Sequence, residues 1–102
     1  MSTIHVVLPY HLLNLARVDS TDQVEVEVDP PVTVSGVIDA LELGYPALRG
    51  TVREYGSKRR RPFVRIFACG EDISHEPIDT ELPDAIVHGD EPLQIVGAIA
   101  GG

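Results

Sequence analysis

Between Gln23 and Val28 valine and glutamate alternate without a break. Successive side chains of a strand point to opposite faces, so Val24, Val26 and Val28 share one face and Glu25 and Glu27 the other. This is a strand with one buried and one wet face. Asp29-Pro30-Pro31 ends it. Thr33 or Ser35 can then cap a helix, the hydroxyl accepting from a free N–H of the first turn. Val34, Val37, Ile38 and Leu41 fall at i, i+3, i+4 and i+7, a single apolar stripe, with Asp39 and Glu42 outside it. Gly44 is expected to supply a left-handed stop, and Pro46 forbids continuation.

The remaining elements arrange themselves around this strand and helix. Ile4 to Leu8 reads as a first strand closed by Pro9, and Tyr10 to Ala16 as a loop or short helical turn. Asp19 to Asp22 is polar turn material, so the first two strands form an antiparallel hairpin. Pro46 to Tyr55 holds another helical turn, with Leu48 and Val52 buried. Gly56 to Pro62 is a basic, turn-rich loop, expected to be solvated or to meet an acidic partner locally. Phe63 to Cys69 is a third strand: Val64, Ile66 and Ala68 face the helix, and Phe63, Arg65, Phe67 and Cys69 face away. Gly70-Glu71-Asp72 turns the chain, with a short strand around Ile73. Ala85, Ile86 and Val87 precede the turn His88 to Glu91, and a last strand begins at Leu93. The order implies an α+β domain, a mixed sheet of four to five strands packed on one main helix, with the last strand beside the first.

Residues 98–102 are expected to leave that domain, 1–97, as a flexible tail. Ala98, Ala100, Gly101 and Gly102 have almost no side chain, so this thread passes into a narrow channel that would reject larger residues. A free carboxylate on Gly102 is a poor electrophile until it is converted to an acyl phosphate or acyl adenylate; sulfur or an amine can then take it.

Composition narrows the classes of function. The 102 residues make one domain, and with 43% hydrophobic but only 5% aromatic residues the core is built from Val, Ile and Leu. Sixteen acidic against eight basic side chains give a net charge of −8, which argues against nucleic acid and anionic membranes as partners and suits a basic docking face. One cysteine, Cys69, excludes an internal disulfide. No signal peptide or membrane span is recognisable, and a cytoplasmic location is expected. His5, His11, His75 and His88 lack zinc-like spacing, so no metal is expected. Cys69 has no neighbouring base to make it a nucleophile. No phosphate-binding glycine loop, G-x-S-x-G or H-E-x-x-H is present. The chain carries no catalytic set of its own and no cofactor.

Four features occur here in one order: the V-x-V-x-V strand, the helix Thr33-Val34-Ser35 through Leu41-Glu42 to Tyr45-Pro46, the Gly70-Glu71-Asp72 turn, and His88-Gly89-Asp90-Glu91 before a strand and an Ala-Gly-Gly end. In that order the chain resembles the ubiquitin-like sulfur carriers, which include the small subunit of molybdopterin synthase and the thiamine-pathway sulfur carrier. The resemblance covers nearly the whole chain and implies a β-grasp fold. It implies that an ATP-dependent adenylyltransferase, of the ubiquitin-activating type, adenylates Gly102. A sulfur donor then yields a thiocarboxylate, which a synthase subunit accepts. It implies a carrier or a non-catalytic small subunit rather than an enzyme, with Ala98, Ile99, Ala100 and Gly101 threading into the partner. Phe63, Arg65 and Phe67 would form the docking face, unless loops of the same chain cover the phenylalanines. Two departures leave the recipient open among molybdopterin, thiazole and cysteine synthesis. Gly97-Ala98 stands where relatives often carry Pro-Pro, and the stretch Gly50 to Pro62 is longer and more basic.

Two other readings remain at this stage. In one, Gly102 is joined to lysine amines as a protein modifier, the chemistry diverging only after activation. Alternatively the chain is a non-covalent β-grasp interaction module with an inert tail.

Overall fold

A computed structural model of the chain describes residues 1–18, 22–54, 56–57, 60 and 64–97. Five strands form one mixed sheet: β1 (Ser2–Val7), β2 (Gln23–Val28), β3 (Val64–Ala68), β4 (Glu71–Asp72) and β5 (Leu93–Gly97). Among the described residues three helices accompany it: α1 (Tyr10–Leu15), α2 (Val34–Gly44) and α3 (Asp84–Val87), with a 3₁₀ turn at Pro46–Leu48. The strand order is β2-β1-β5-β3-β4. β1 and β2 are an antiparallel hairpin from Ser2↔Val28 to Val7↔Gln23. β5 runs parallel to β1, with Val6 beside Leu93, and antiparallel to β3, with Ile66 beside Ile95. The expected elements are therefore present in the expected order. β5, however, is the central strand, so Gly97 stands at one end of the sheet rather than on an outer edge.

The alternating pattern decides which face is covered. Val24, Val26 and Val28 are buried and Glu25 exposed, as period two requires. Ile4, Val6, Leu93, Ile95, Val64, Ile66 and Ala68 extend the same apolar face across the sheet. Onto it α2 lays Val34, Val37, Ile38 and Leu41, all buried. Burying such side chains contributes about 1.5–3 kcal/mol each, so the stripe is a main source of the domain's cohesion. Thr33 is the cap: its Oγ1 accepts from the Gly36 N–H at 3.0 Å. A Cβ on Gly36 would lie 3.3 Å from that oxygen and 3.4 Å from Val28 Cγ1, so the start of α2 approaches the end of β2 closely. Leu48 and Val52 are buried as expected.

Three local expectations need correction. The helix runs through Gly44, which has no positive φ, and stops at Tyr45 (φ −133°) because Pro46 begins the 3₁₀ turn. Cys69 is not a strand residue: with φ +52° it forms a two-residue turn with Gly70 (φ +82°). The register Ala68↔Glu71 then puts Glu71 and Asp72 in β4 rather than in the turn. Positive φ at both positions matches the twist of a tight hairpin, which is why the reversal sits one residue early. Residues 84–87, to which the sequence assigns no element, are helical and dock Ile86 into the core. Of the basic loop expected at Gly56 to Pro62, residues 56, 57 and 60 are described; Arg60 is half-buried and donates from Nε to the Ser74 carbonyl at 3.1 Å and from Nη1 to that of Val64. The expected turn at Asp19 to Asp22 lies largely outside the described residues.

One buried charge has no counterpart in the sequence expectations. Arg53 is only 4% exposed. Its Nε donates to Glu42 Oε2 at 3.1 Å, its Nη2 to Glu42 Oε1 at 2.9 Å, and Nη2 also bonds Asp39. Burial opposes charge on the guanidinium, but the bonds to Glu42 and Asp39 outweigh it and hold Arg53 above its ordinary value. The two acidic residues outside the α2 stripe thus tie the loop at Arg53 to the helix.

Candidate functional site

The site is the end of the sheet where β5 delivers the chain at Gly97. β5 alternates: Leu93 and Ile95 are buried, while Gln94 and Val96 face away from α2. Its last residue lies opposite the first of β3, Val64↔Gly97. A Cβ at Gly97 would meet His11 Cε1 at 3.2 Å and Pro9 Cγ at 3.5 Å, so the start of α1 closes over the backbone there. Tyr10 is 76% exposed beside it in sequence. Pro9 lies between β1 and α1 as the cap of the helix, and the N–H groups of Leu12 and Leu13 donate to its carbonyl at 2.9 and 3.1 Å. That fixes where His11 stands. No pattern in the sequence connects residue 11 to residue 97; the contact exists because β1 and β5 are parallel neighbours, so both strands point to the same end of the sheet. The tail residues expected to act, Ala98, Ile99, Ala100, Gly101 and Gly102, lie outside the described residues.

The sheet face opposite α2 carries the expected docking residues that are described. Arg65 pairs with Val96 and Phe67 with Gln94 across the β3–β5 ladder. Arg65 is exposed, Val96 is 46% exposed, and Phe67 is half-buried. Arg65, Phe67 and Val96 therefore share one face that leads to the exit at Gly97. Phe63 lies outside the described residues. Arg65 Nη1 is 3.2 Å from Asp72 Oδ2 on β4. Asp72 is held below the usual carboxylate range, first by bonds from the Ser74 side chain and backbone N–H, the latter at 2.9 Å, and then by Arg65. Ser74 Oγ also accepts from the Ile66 N–H at 2.7 Å, so the same residue extends the edge of β3.

Among the described residues no group of three or more His, Cys, Asp or Glu side chains is placed to hold a metal ion. His5 pairs across the hairpin with Glu25 at 3.4 Å, and His11 is taken up at Gly97. Cys69 is free and exposed on its turn. No described helix is long and apolar enough to cross a membrane. The assembled features are a fixed exit point and an open sheet face beside it.

No family model matches the sequence, and no curated protein matches it. Solved structures match the fold over nearly its full length. SAMP1 from Haloferax volcanii superposes with a TM-score of 0.74 at 22% identity, covering 98% of this chain and 99% of that one. A chain of the Amycolatopsis orientalis BexX/CysO complex gives 0.71 at 21% identity, covering 96% and 98%. The small archaeal modifier protein 1 of Methanosarcina acetivorans gives 0.71 at 21%, covering 100% and 98%. The chain has the α+β, ubiquitin-like β-grasp fold of these proteins.

Proposed function

We propose that the chain is a ubiquitin-like carrier whose Gly102 carboxylate is activated by an ATP-dependent adenylyltransferase and converted to a thiocarboxylate. In this reading the carboxylate attacks the α-phosphate of ATP, releasing pyrophosphate and forming an acyl adenylate. A sulfide equivalent from the sulfur donor then displaces AMP. The thiocarboxylate gives its sulfur to a synthase that makes molybdopterin, thiazole or cysteine. Residues 1–97 act as the docking domain and 98–102 as the tail that threads into the partner. Arg65 and Phe67, with Phe63, form the docking face. The chain performs no chemistry of its own and acts in the cytoplasm.

The observation that carries this reading is the placement of β5. A central strand ends at Gly97 beside an open face, and the sequence continues Ala98-Ile99-Ala100-Gly101-Gly102. Partner binding by a protein of this fold is supported by the BexX/CysO complex. Two of the similar structures are of small archaeal modifier protein 1, and that name favours a second reading, in which activated Gly102 acylates lysine amines of other proteins.

Intact mass spectrometry of the protein from its own host separates the readings. A species with one oxygen-for-sulfur exchange in the C-terminal peptide is expected. Heavier conjugates that vanish on deletion of Gly102 support modification instead. Carboxylate alone, after incubation with the host adenylyltransferase, ATP and a sulfur donor, rejects sulfur carriage.

A further inference from the structure

Among the described residues β2 stands at the edge of the sheet, with β1 as its one neighbouring strand. The directions of its backbone groups follow from the register. The Leu8 N–H donates to the Asp22 carbonyl at 3.1 Å, and the ladder continues with Val6↔Val24 and Ile4↔Val26. Hydrogen-bonded pairs recur at every second residue of an antiparallel ladder. Val24, Val26 and Val28 therefore bond to β1, and Glu25 and Glu27 turn their N–H and C=O groups to the open side. The intervening pairs are the non-hydrogen-bonded ones, in which side chains approach more closely. Thr3 Oγ1 does donate to Glu27 Oε2 at 2.6 Å, and His5 Nδ1 lies 3.4 Å from Glu25.

The open side is also a groove. Glu25, Val26 and Glu27 form one wall, and Ala40, Leu43 and Tyr45 of the C-terminal part of α2 and its cap form the other, around a space of about 380 Å³. Leu43 is 78% exposed there. The two charged side chains lining the groove are both acidic. Pairing of two copies edge to edge would bring glutamates against glutamates, which disfavours self-association.

We propose that this edge and the adjoining flank of α2 bind an extended peptide of another protein by strand addition, with a basic–apolar–basic sequence. Residues of the added strand opposite Glu25 and Glu27 exchange backbone hydrogen bonds with them and point to the outer face, beside the two carboxylates. The residue between them, opposite Val26, points inward onto Ala40, Leu43 and Tyr45. Main-chain bonds supply affinity in such a mode, and alternate side chains supply the selection. The site lies across β1 from β5 and does not depend on the fate of Gly102.

The test uses the full chain, labelled for amide NMR, and a short synthetic peptide alternating lysine and valine. Shifts concentrated at Glu25, Glu27, Ala40 and Leu43, with slowed amide exchange at Glu25 and Glu27, are expected. N-methylation of the peptide lysines, Leu43→Asp, and the double change Glu25→Gln with Glu27→Gln should each weaken binding about tenfold. The proposal is overturned by unchanged affinity for the N-methylated peptide, which would mean charge attraction alone. Equal affinity for a glutamate–valine peptide overturns it too, as do shifts centred on Arg65 and Phe67. Concentration-dependent protection of Glu25 and Glu27 in the chain alone would assign the groove to a second copy and reject a foreign peptide.

Discussion

Arg53 grips Glu42 with two prongs, Nε to Oε2 and Nη2 to Oε1, at 3.1 and 2.9 Å. With Asp39 on the same Nη2, this fork joins a loop to α2 at a position where the guanidinium is almost fully removed from water. Its planar donor set matches a carboxylate in a way an ammonium cannot. Arg53→Met should lower the unfolding free energy by about 2 kcal/mol, below the 3–5 typical of fully buried pairs, because Asp39 is half exposed and can return to solvent. Arg53→Lys should fall between. Urea unfolding midpoints measure this; an unchanged midpoint for the methionine variant would show that the fork adds nothing.

The turn at Cys69 invites improvement. Its φ of +52° is uncommon for a residue with a Cβ, and the two-residue hairpin it shares with Gly70 favours asparagine followed by glycine. Cys69→Asn should raise stability by about 0.5–1 kcal/mol, and Gly70→Ala should lower it. Thermal melting decides; a lower melting temperature for the asparagine variant contradicts the strain.

Asp72 makes part of the stability dependent on acid. Its carboxyl titrates lower in the folded chain than in the unfolded one, so its contribution is complete above the unfolded value of about 3.9 and lost as pH falls through the folded one. The stability gap between the native chain and Asp72→Asn should be constant near neutral pH and shrink once pH drops below about 4. Denaturant unfolding across that range checks the sign; a gap that widens in acid would refute the assignment.

The covered backbone at Gly97 should tolerate a methyl group only if His11 yields. Gly97→Ala places its Cβ about as close to the His11 ring as packed atoms come, so a loss of at most about 1 kcal/mol is expected. His11→Ala in the same chain should remove that loss. A double-mutant cycle with no coupling between the two positions would mean that they do not touch.

Exposed Val96 offers a probe of the docking face that spares the core. Val96→Asp should change stability by no more than about 0.5 kcal/mol. If the proposed face meets an adenylyltransferase, ATP-dependent activation of Gly102 should fall with KM rising and kcat little changed. Full activity would move docking elsewhere.

Much of this architecture was legible because it is periodic. The valines of β2 and the stripe of α2 repeat at the spacing of their elements, and both elements stand where that repetition placed them. Single events left no such trace. Arg53 is one cation in an irregular loop, and its partners, Asp39 and Glu42, fall where solvent-facing helix residues also fall. α3 spans four residues, too few to express a helical period. The Cys69 turn lacks the asparagine that usually marks its kind, so Gly70 drew the reversal one residue late. At the candidate site, the face bearing Arg65 and Phe67 follows from strand alternation. The approach of His11 to Gly97 follows from strand order, which no local window contains.

The central position of β5 has a mechanical consequence. A partner that grips the chain beyond Gly97 and pulls along the strand axis loads β5 in shear against β1 on one side and β3 on the other. Bonds loaded in shear share the force and yield together, whereas those of a peeled edge strand give way one after another. The exit point is thus the part of the sheet best suited to bear tension, and the load passes directly to Leu93 and Ile95 in the core.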